Sequence, residues 1–275
     1  MTPHPIPSDS CHFAELLIPF RVGAESERRV LDLADGWTRR WTATWKVAGT
    51  EVICSVKNMA SFPTGGCEPV RPFSWRTTQH HRPGLATMVS TGRLHGFESI
   101  AEQKLLLALD FTGDVTEVIS QPMRLRFTTQ DRPVEHTPDF LAVTRNGTWL
   151  IDVRPGNLIE HDDRIKFAAS AEAALACGWQ YVVVTGWRPQ VLTVLDGISA
   201  QRRPLKDPLG IQDELLEAAA RGPQSYGQLV AATPYPTIGR AHALHLLWHR
   251  RLGLDLTRPL NDQTIVWSCG EEGNR

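Results

Sequence analysis

The chain has 275 residues, 41% of them hydrophobic, enough to build two or more compact domains. Its five cysteines (Cys11, Cys54, Cys67, Cys177 and Cys269) are odd in number and lack C-x-x-C spacing, which argues against a disulfide framework and a structural zinc site. No apolar run approaches the roughly 20 residues of a membrane helix, and residues 1–10 lack a charged stretch leading into an apolar one, so the expectation is a soluble cytoplasmic chain with no membrane partner. The formal net charge of −1 is unevenly spread. Residues 21–93 carry 11 Lys+Arg against 6 Asp+Glu, residues 94–182 carry 8 against 13, and residues 183–275 carry 10 against 9. A basic arm beside an acidic centre suits a polyanion held next to a metal; ordinary compositional scatter accounts for it equally well.

In chain order, the first section covers residues 1–89. Residues 37–47 alternate, with Trp37, Trp41, Ala43, Trp45 and Val47 on one face, and Ala48-Gly49 turns into residues 51–56 to give a hairpin. The tryptophan face reads as core; a nucleic-acid surface beside Arg39 and Arg40 is the alternative. Residues 63–83, rich in Pro, Gly, Thr and His, read as a connector.

The second section, 90–203, opens with a helix over 97–110, where Phe97, Ile100, Ala101, Leu105, Ala108 and Leu109 recur at helical spacing. Glu98 and Glu102, four apart, share a side of it. Strands follow at 115–119 and 123–127, broken by Gln121-Pro122. Asn146-Gly147 lies between two apolar runs, 136–143 and 148–154, which is the strongest short-range hairpin signal. Residues 162–177 form a helix stopped by Gly178, and 180–185 a buried strand. Helix, antiparallel strands, helix and strand make a mixed α/β core.

The third section, 204–275, offers helices at 211–221 and 226–232 and a third capped by Thr237, with Ile238, Ala241, Leu244, Leu247, Trp248 and Leu252 at helical spacing. Strands at 253–256 and 264–267 flank a turn. Three short helices followed by a hairpin is winged-helix order. Arg240, His242, His249, Arg250 and Arg251 decorate the third helix. They mark a DNA-binding surface or a face that docks another protein, the second favoured by the weak basic charge of the section.

The chemistry concentrates in the middle. Side chains alternate along a strand, so Leu150, Asp152 and Arg154 share a face. A two-residue turn centred on Asn146-Gly147 puts Asp139 across from Arg154 and within two positions of Asp152. Two carboxylates inside otherwise buried β-sequence repel each other, and a divalent cation is the usual remedy. Hydrolysing a phosphodiester needs charge neutralised on the phosphate, an activated water and help for the leaving oxygen. Glu102 on the helix, Asp139 and Asp152 on the hairpin and the Arg154 cation are the residue types for that work.

The runs Phe97-Glu98-Ser99-Ile100-Ala101-Glu102, Ser120-Gln121-Pro122, Thr137-Pro138-Asp139-Phe140 and Ile151-Asp152-Val153-Arg154-Pro155, in this order over residues 92–186, resemble the TnsA-type endonuclease subunit of heteromeric bacterial transposases, in the PD-(D/E)xK nuclease superfamily. Lys166-Phe167 and Gly178-Trp179 continue the likeness, and the tail is similar to the winged-helix domain behind that nuclease core. Residues before Pro72 have no clear counterpart. The resemblance implies an α/β fold: a restriction-endonuclease-like mixed sheet flanked by helices, with a β-rich N-terminal region and a winged-helix-like C-terminal domain. It implies Mg²⁺-dependent hydrolysis of DNA at transposon ends, with Mn²⁺ able to substitute. It also implies two partners, a DDE-type transposase and an ATPase regulator, and a place at the bacterial nucleoid.

Carried over by position, Glu102 of Ser99-x-x-Glu102, Asp139 of Pro-Asp and Asp152 are the metal-binding catalytic acids, and Arg154 stands where the family has lysine. A guanidinium binds phosphate in bidentate fashion but does not readily exchange a proton. Arg154 then acts by charge alone, or Lys166 on the next helix fills the lysine's space, or catalysis is lost. Glu98 is the alternative helical ligand. Gln121 reads as holding backbone at the Pro122 turn, and His136 as structural. A restriction- or repair-type nuclease acting alone has the same order of acids, and a DNA-binding adaptor with an inactive core is the non-enzyme reading.

Overall fold

The computed structural model describes residues 4–71 and 83–270, so most of the expected connector at 63–83 lies outside the described residues. The chain is mixed α/β, with ten α-helices and several sheets among the described residues. No helix among them is long and apolar enough to cross a membrane. It packs as two compact units, one of residues 18–186 and one of residues up to 17 with those from 187 onward. These limits differ from the boundaries at 89/90 and 203/204 that composition suggests.

Along the 18–186 unit run β1 (Thr42–Val47), β2 (Thr50–Ser55), α1 (Ile100–Thr112), β3 (Val115–Ser120), β4 (Met123–Thr128), β5 (Pro133–His136), β6 (Phe140–Thr144), β7 (Gly147–Val153), α2 (His161–Ala176) and β8 (Gln180–Trp187). One five-stranded sheet has the order β2-β1-β4-β5, with the short strand Cys67–Glu68 also paired to β1, all antiparallel. Another five-stranded sheet has the order β8-β7-β6-β3, with the short strand Leu17–Pro19 beyond β8; β7 and β8 are parallel, and β6 is antiparallel to both β7 and β3. The β1–β2 turn has Ala48 and Gly49 both at positive φ (48° and 78°), as a tight two-residue hairpin requires.

Residues 37–40 depart from the expected strand. Trp37–Arg40 is a helical turn that starts after Gly36 at φ 75° and closes with the Trp41 N–H donating to the Trp37 carbonyl at 2.9 Å. Trp37 and Trp41 are thereby helical i, i+4 neighbours with ring centroids 4.6 Å apart, rather than alternate residues of a strand. Trp41, Ala43 and Trp45 are buried, so the tryptophan face is core.

The β6–β7 hairpin forms, but with its turn one residue early and its cross-strand partners two residues from those expected. Its pairs run from Phe140↔Ile151 to Thr144↔Gly147, so the loop is Arg145-Asn146 and not Asn146-Gly147. The cause is Thr144, whose hydroxyl accepts from the Asn146 N–H at 3.1 Å and donates to the Gly147 carbonyl at 2.9 Å, closing the turn a residue earlier. Continued by one step, this register sets Asp139 beside Asp152 instead of across from Arg154.

Helix α2 presents alanines to the interior. Ala168, Ala169, Ala173 and Ala174 share one core with Leu141, Leu150, Leu125, Phe127, Trp41 and Trp45. Small side chains on the helix leave room for the indoles at close-packed density. The N-terminal hairpin is therefore built into the same core as the acidic strands.

The second unit contains α3 (Ile211–Ala220), β9 (Gln224–Ser225), α4 (Tyr226–Ala231), α5 (Pro236–Trp248), β10 (Leu252–Leu254) and β11 (Ile265–Ser268), with sheet order β9-β11-β10. Helix α5 begins at Pro236, whose missing N–H costs nothing in the first turn, rather than at a Thr237 cap. The N-terminal segment extends the sheet past β10: Ser8 N–H donates to the Leu254 carbonyl and Leu256 N–H to the Ile6 carbonyl, both at 2.9 Å.

Candidate functional site

A cavity of about 550 Å³ in the 18–186 unit is lined by Glu98, Glu102, His136, Asp139, Asp152 and Arg154, among others. The start of α1, the end of β5, the residue before β6, the end of β7 and, through Asp163 and Phe167, α2 all converge there. A larger cavity, about 850 Å³, lies in the other unit beside β11. It holds one carboxylate, Asp255, already used by the Thr257 N–H and hydroxyl and the Ile6 N–H, and it offers no comparable chemistry.

Glu102 is 8% exposed. It sits in the first turn of α1, where the Ser99 hydroxyl accepts from its N–H at 3.2 Å. Its own carboxylate accepts from the Glu98 N–H and the Ser99 hydroxyl, both at 2.8 Å. Ser99-x-x-Glu102 is thus also a helix-start lock, a role that this spacing alone would predict. Burial pushes the Glu102 carboxyl above the usual carboxylate range, and its hydrogen bonds pull the other way.

Asp139 and Asp152 are held differently. Asp139 Oδ2 accepts from the Val153 N–H at 2.7 Å, across the hairpin. Asp152 is 2% exposed; its Oδ1 lies 2.9 Å from His136 Nε2 and its Oδ2 accepts from the Tyr181 hydroxyl at 2.6 Å. Asp139 is pushed well above the usual carboxylate range, first by burial and then by the negative charges of Asp152 and Glu102. Burial, followed by the charge of Asp152, raises the Tyr181 phenol well above its ordinary value.

Arg154 lines the cavity with its Nε 3.3 Å from Asp163 Oδ2 and 3.2 Å from the Leu158 carbonyl. Glu98 is there too, paired through Oε2 with Arg71 Nη2 at 2.7 Å. Lys166 and Gln121 are not among the lining residues. Lys166 is half-buried on α2. Gln121 is 2% exposed with φ 47°, and its backbone N–H donates to the Asp139 carbonyl at 2.7 Å. Gln121 therefore fixes backbone, now at Asp139 itself.

The basic residues expected to grip DNA in the other unit are mostly committed. Arg240 pairs with Asp262 at 2.8 Å and lies over the Tyr226 ring. Arg250 falls beyond the end of α5 and donates to the carbonyls of Asp9 and Cys11. Arg251 is exposed.

Among the described residues no three His, Cys, Asp or Glu side chains stand close enough to form a ready-made metal site. The donor set nevertheless fits a hard divalent cation. It is all oxygen, it converges on one cavity, and Asp139 registers the mutual repulsion that a cation would relieve. Tyr181 and the role of His136 escape sequence reading. Tyr181 hides in an apolar β-branched run, and only the parallel β7–β8 register, Leu150↔Tyr181 and Asp152↔Val183, puts it on the same face as Asp152. No protein-family model matches the chain, and no curated protein matches it.

Proposed function

We propose that the chain is a divalent-metal-dependent DNA endonuclease of the TnsA type, cutting at transposon ends beside a DDE-type transposase and an ATPase regulator. The observation that carries this reading is the gathering of Glu102, Asp139 and Asp152 in one cavity with Arg154. Two further features agree with it. A mixed sheet against which both α1 and α2 pack is what a restriction-endonuclease-like core would have. The order α3-β9-α4-α5-β10-β11 matches a winged helix.

Glu102, Asp139 and Asp152 would hold the cation through oxygen. Bound Mg²⁺ supplies charge neutralisation at the phosphate and a more acidic water. The Val153 N–H orients Asp139. Arg154, with Nε already committed, presents its terminal amino groups to the phosphate as fixed donors. A guanidinium keeps its proton, so Arg154 stabilises charge and does not protonate the leaving oxygen.

The test is supercoiled DNA with Mg²⁺ or Mn²⁺, given the purified chain alone and then with its co-encoded transposase. Nicking that requires the partner is the expected result. Sequence-selective cutting by the chain alone would favour a restriction- or repair-type nuclease, and binding without cutting an inactive adaptor. In the same assay Arg154→Lys should stay within about tenfold of the parent, because an ammonium still neutralises the phosphate. Complete loss would mean that the planar fork itself is required.

A further inference from the structure

Asp152 is the only one of the three carboxylates gripped at both oxygens by side chains of other elements. His136 ends β5, which belongs to the sheet that does not contain Asp152, and puts Nε2 2.9 Å from Oδ1. Because a carboxylate only accepts, that nitrogen carries the proton. Tyr181 comes from β8 and donates to Oδ2 at 2.6 Å. Phe167 of α2 packs its ring edge-on to the imidazole, with centroids 6.2 Å apart, which steadies it. Asp139, by contrast, has one backbone donor, and Glu102 is tied to its own helix start.

We infer that His136 and Tyr181 are positioning residues that present Asp152 to a divalent cation in one fixed orientation. The inference rests on the nuclease reading above, since it takes Asp152 as a metal ligand. One donor on each oxygen removes the rotation of the carboxylate about its own axis and leaves each oxygen a second lone pair for the cation. Partners that orient metal ligands are typically worth about 10–100-fold in metal affinity.

The test is Mn²⁺ binding by the whole chain without DNA, followed by paramagnetic resonance of the free ion, with near-ultraviolet circular dichroism to confirm that each variant is folded. Tyr181→Phe and His136→Ala should each weaken Mn²⁺ binding by about tenfold or more. His136→Gln should stay within about threefold of the parent, because its amide N–H reaches the same oxygen. A purely structural role would lower the melting temperature while leaving the affinity of the folded chain unchanged. Parental affinity in both Tyr181→Phe and His136→Ala would overturn the inference. Failure of the nuclease reading has a separate signature: the parent itself binds no Mn²⁺, or Asp139→Ala and Asp152→Ala bind it as the parent does. That outcome would remove the inference together with the reading it rests on.

Discussion

Asp139→Asn should lower DNA cleavage by at least about 10³-fold and, in EDTA at pH 8, raise the melting temperature of the chain. Both effects have one origin. The Asp139 carboxyl is pushed up by burial and then by Asp152 and Glu102, so the folded chain holds this proton more tightly than the unfolded chain does. A carboxyl raised in this way contributes stability that is complete below its unfolded value, near pH 4, and that is lost as the pH climbs through the folded value. Above the unfolded value Asp139 is therefore a net cost to the metal-free fold, and asparagine lacks that cost. Asparagine also keeps an acceptor for the Val153 N–H. In a unit of this size each kcal/mol gained appears as about 2–4 °C. The advantage should shrink as the pH falls from 8 to 5, because a raised carboxyl costs the fold less as the pH drops toward its unfolded value. Millimolar Mn²⁺ should reverse the ranking, because only the parent gains from a ligand that binds the folded state. Melting curves at both pH values, beside a nicking assay, check all of this. An asparagine variant that cut at the parental rate would take Asp139 out of the chemistry.

Trp45→Ala should cost the 18–186 unit about 3–5 kcal/mol, a large part of the 5–15 kcal/mol that domains usually have. Trp45 is 0% exposed, stacks on Phe62 with centroids 4.8 Å apart and 12° between planes, and belongs to the core that α2 covers with alanines. The α2 residues fully buried in this core are alanines, too small to fill the space. Trp45→Phe should cost far less, since it keeps a ring to stack on Phe62 and fills most of the space. Urea titration followed by circular dichroism measures both. A small loss for Trp45→Ala would mean that the N-terminal hairpin is an appendage and not part of the core that carries Asp139 and Asp152.

The parts of this molecule that could be read from sequence are those fixed by neighbours along the chain. Helix α2 was expected from its acidic start and Gly178 stop, and its ends lie within a residue of that. The pair Asp139 and Asp152 was visible because a hairpin is local. Its register was not, because the Asn146-Gly147 signal says that a turn exists while the Thr144 hydroxyl decides where it closes. The alternating tryptophans were misread at Trp37 because two indoles four apart along a helical turn meet as readily as residues two apart along a strand. Contacts over long separations left no trace. Leu256 bonds to Ile6, and Tyr181 reaches Asp152 only once β8 lies parallel to β7. Glu102 carries two readings at once, helix lock and candidate ligand, because both uses need the same residue in the same first turn.

Anomalous scattering from Mn²⁺ in crystals of the chain tests the shared-cation claim most directly. The account predicts a strong peak in the cavity of Glu102, Asp139 and Asp152, about 2.0–2.3 Å from oxygens of both aspartates, that disappears in Asp139→Asn. Crystals grown in millimolar Mn²⁺ with no peak there, or with the ion bound elsewhere, would contradict it.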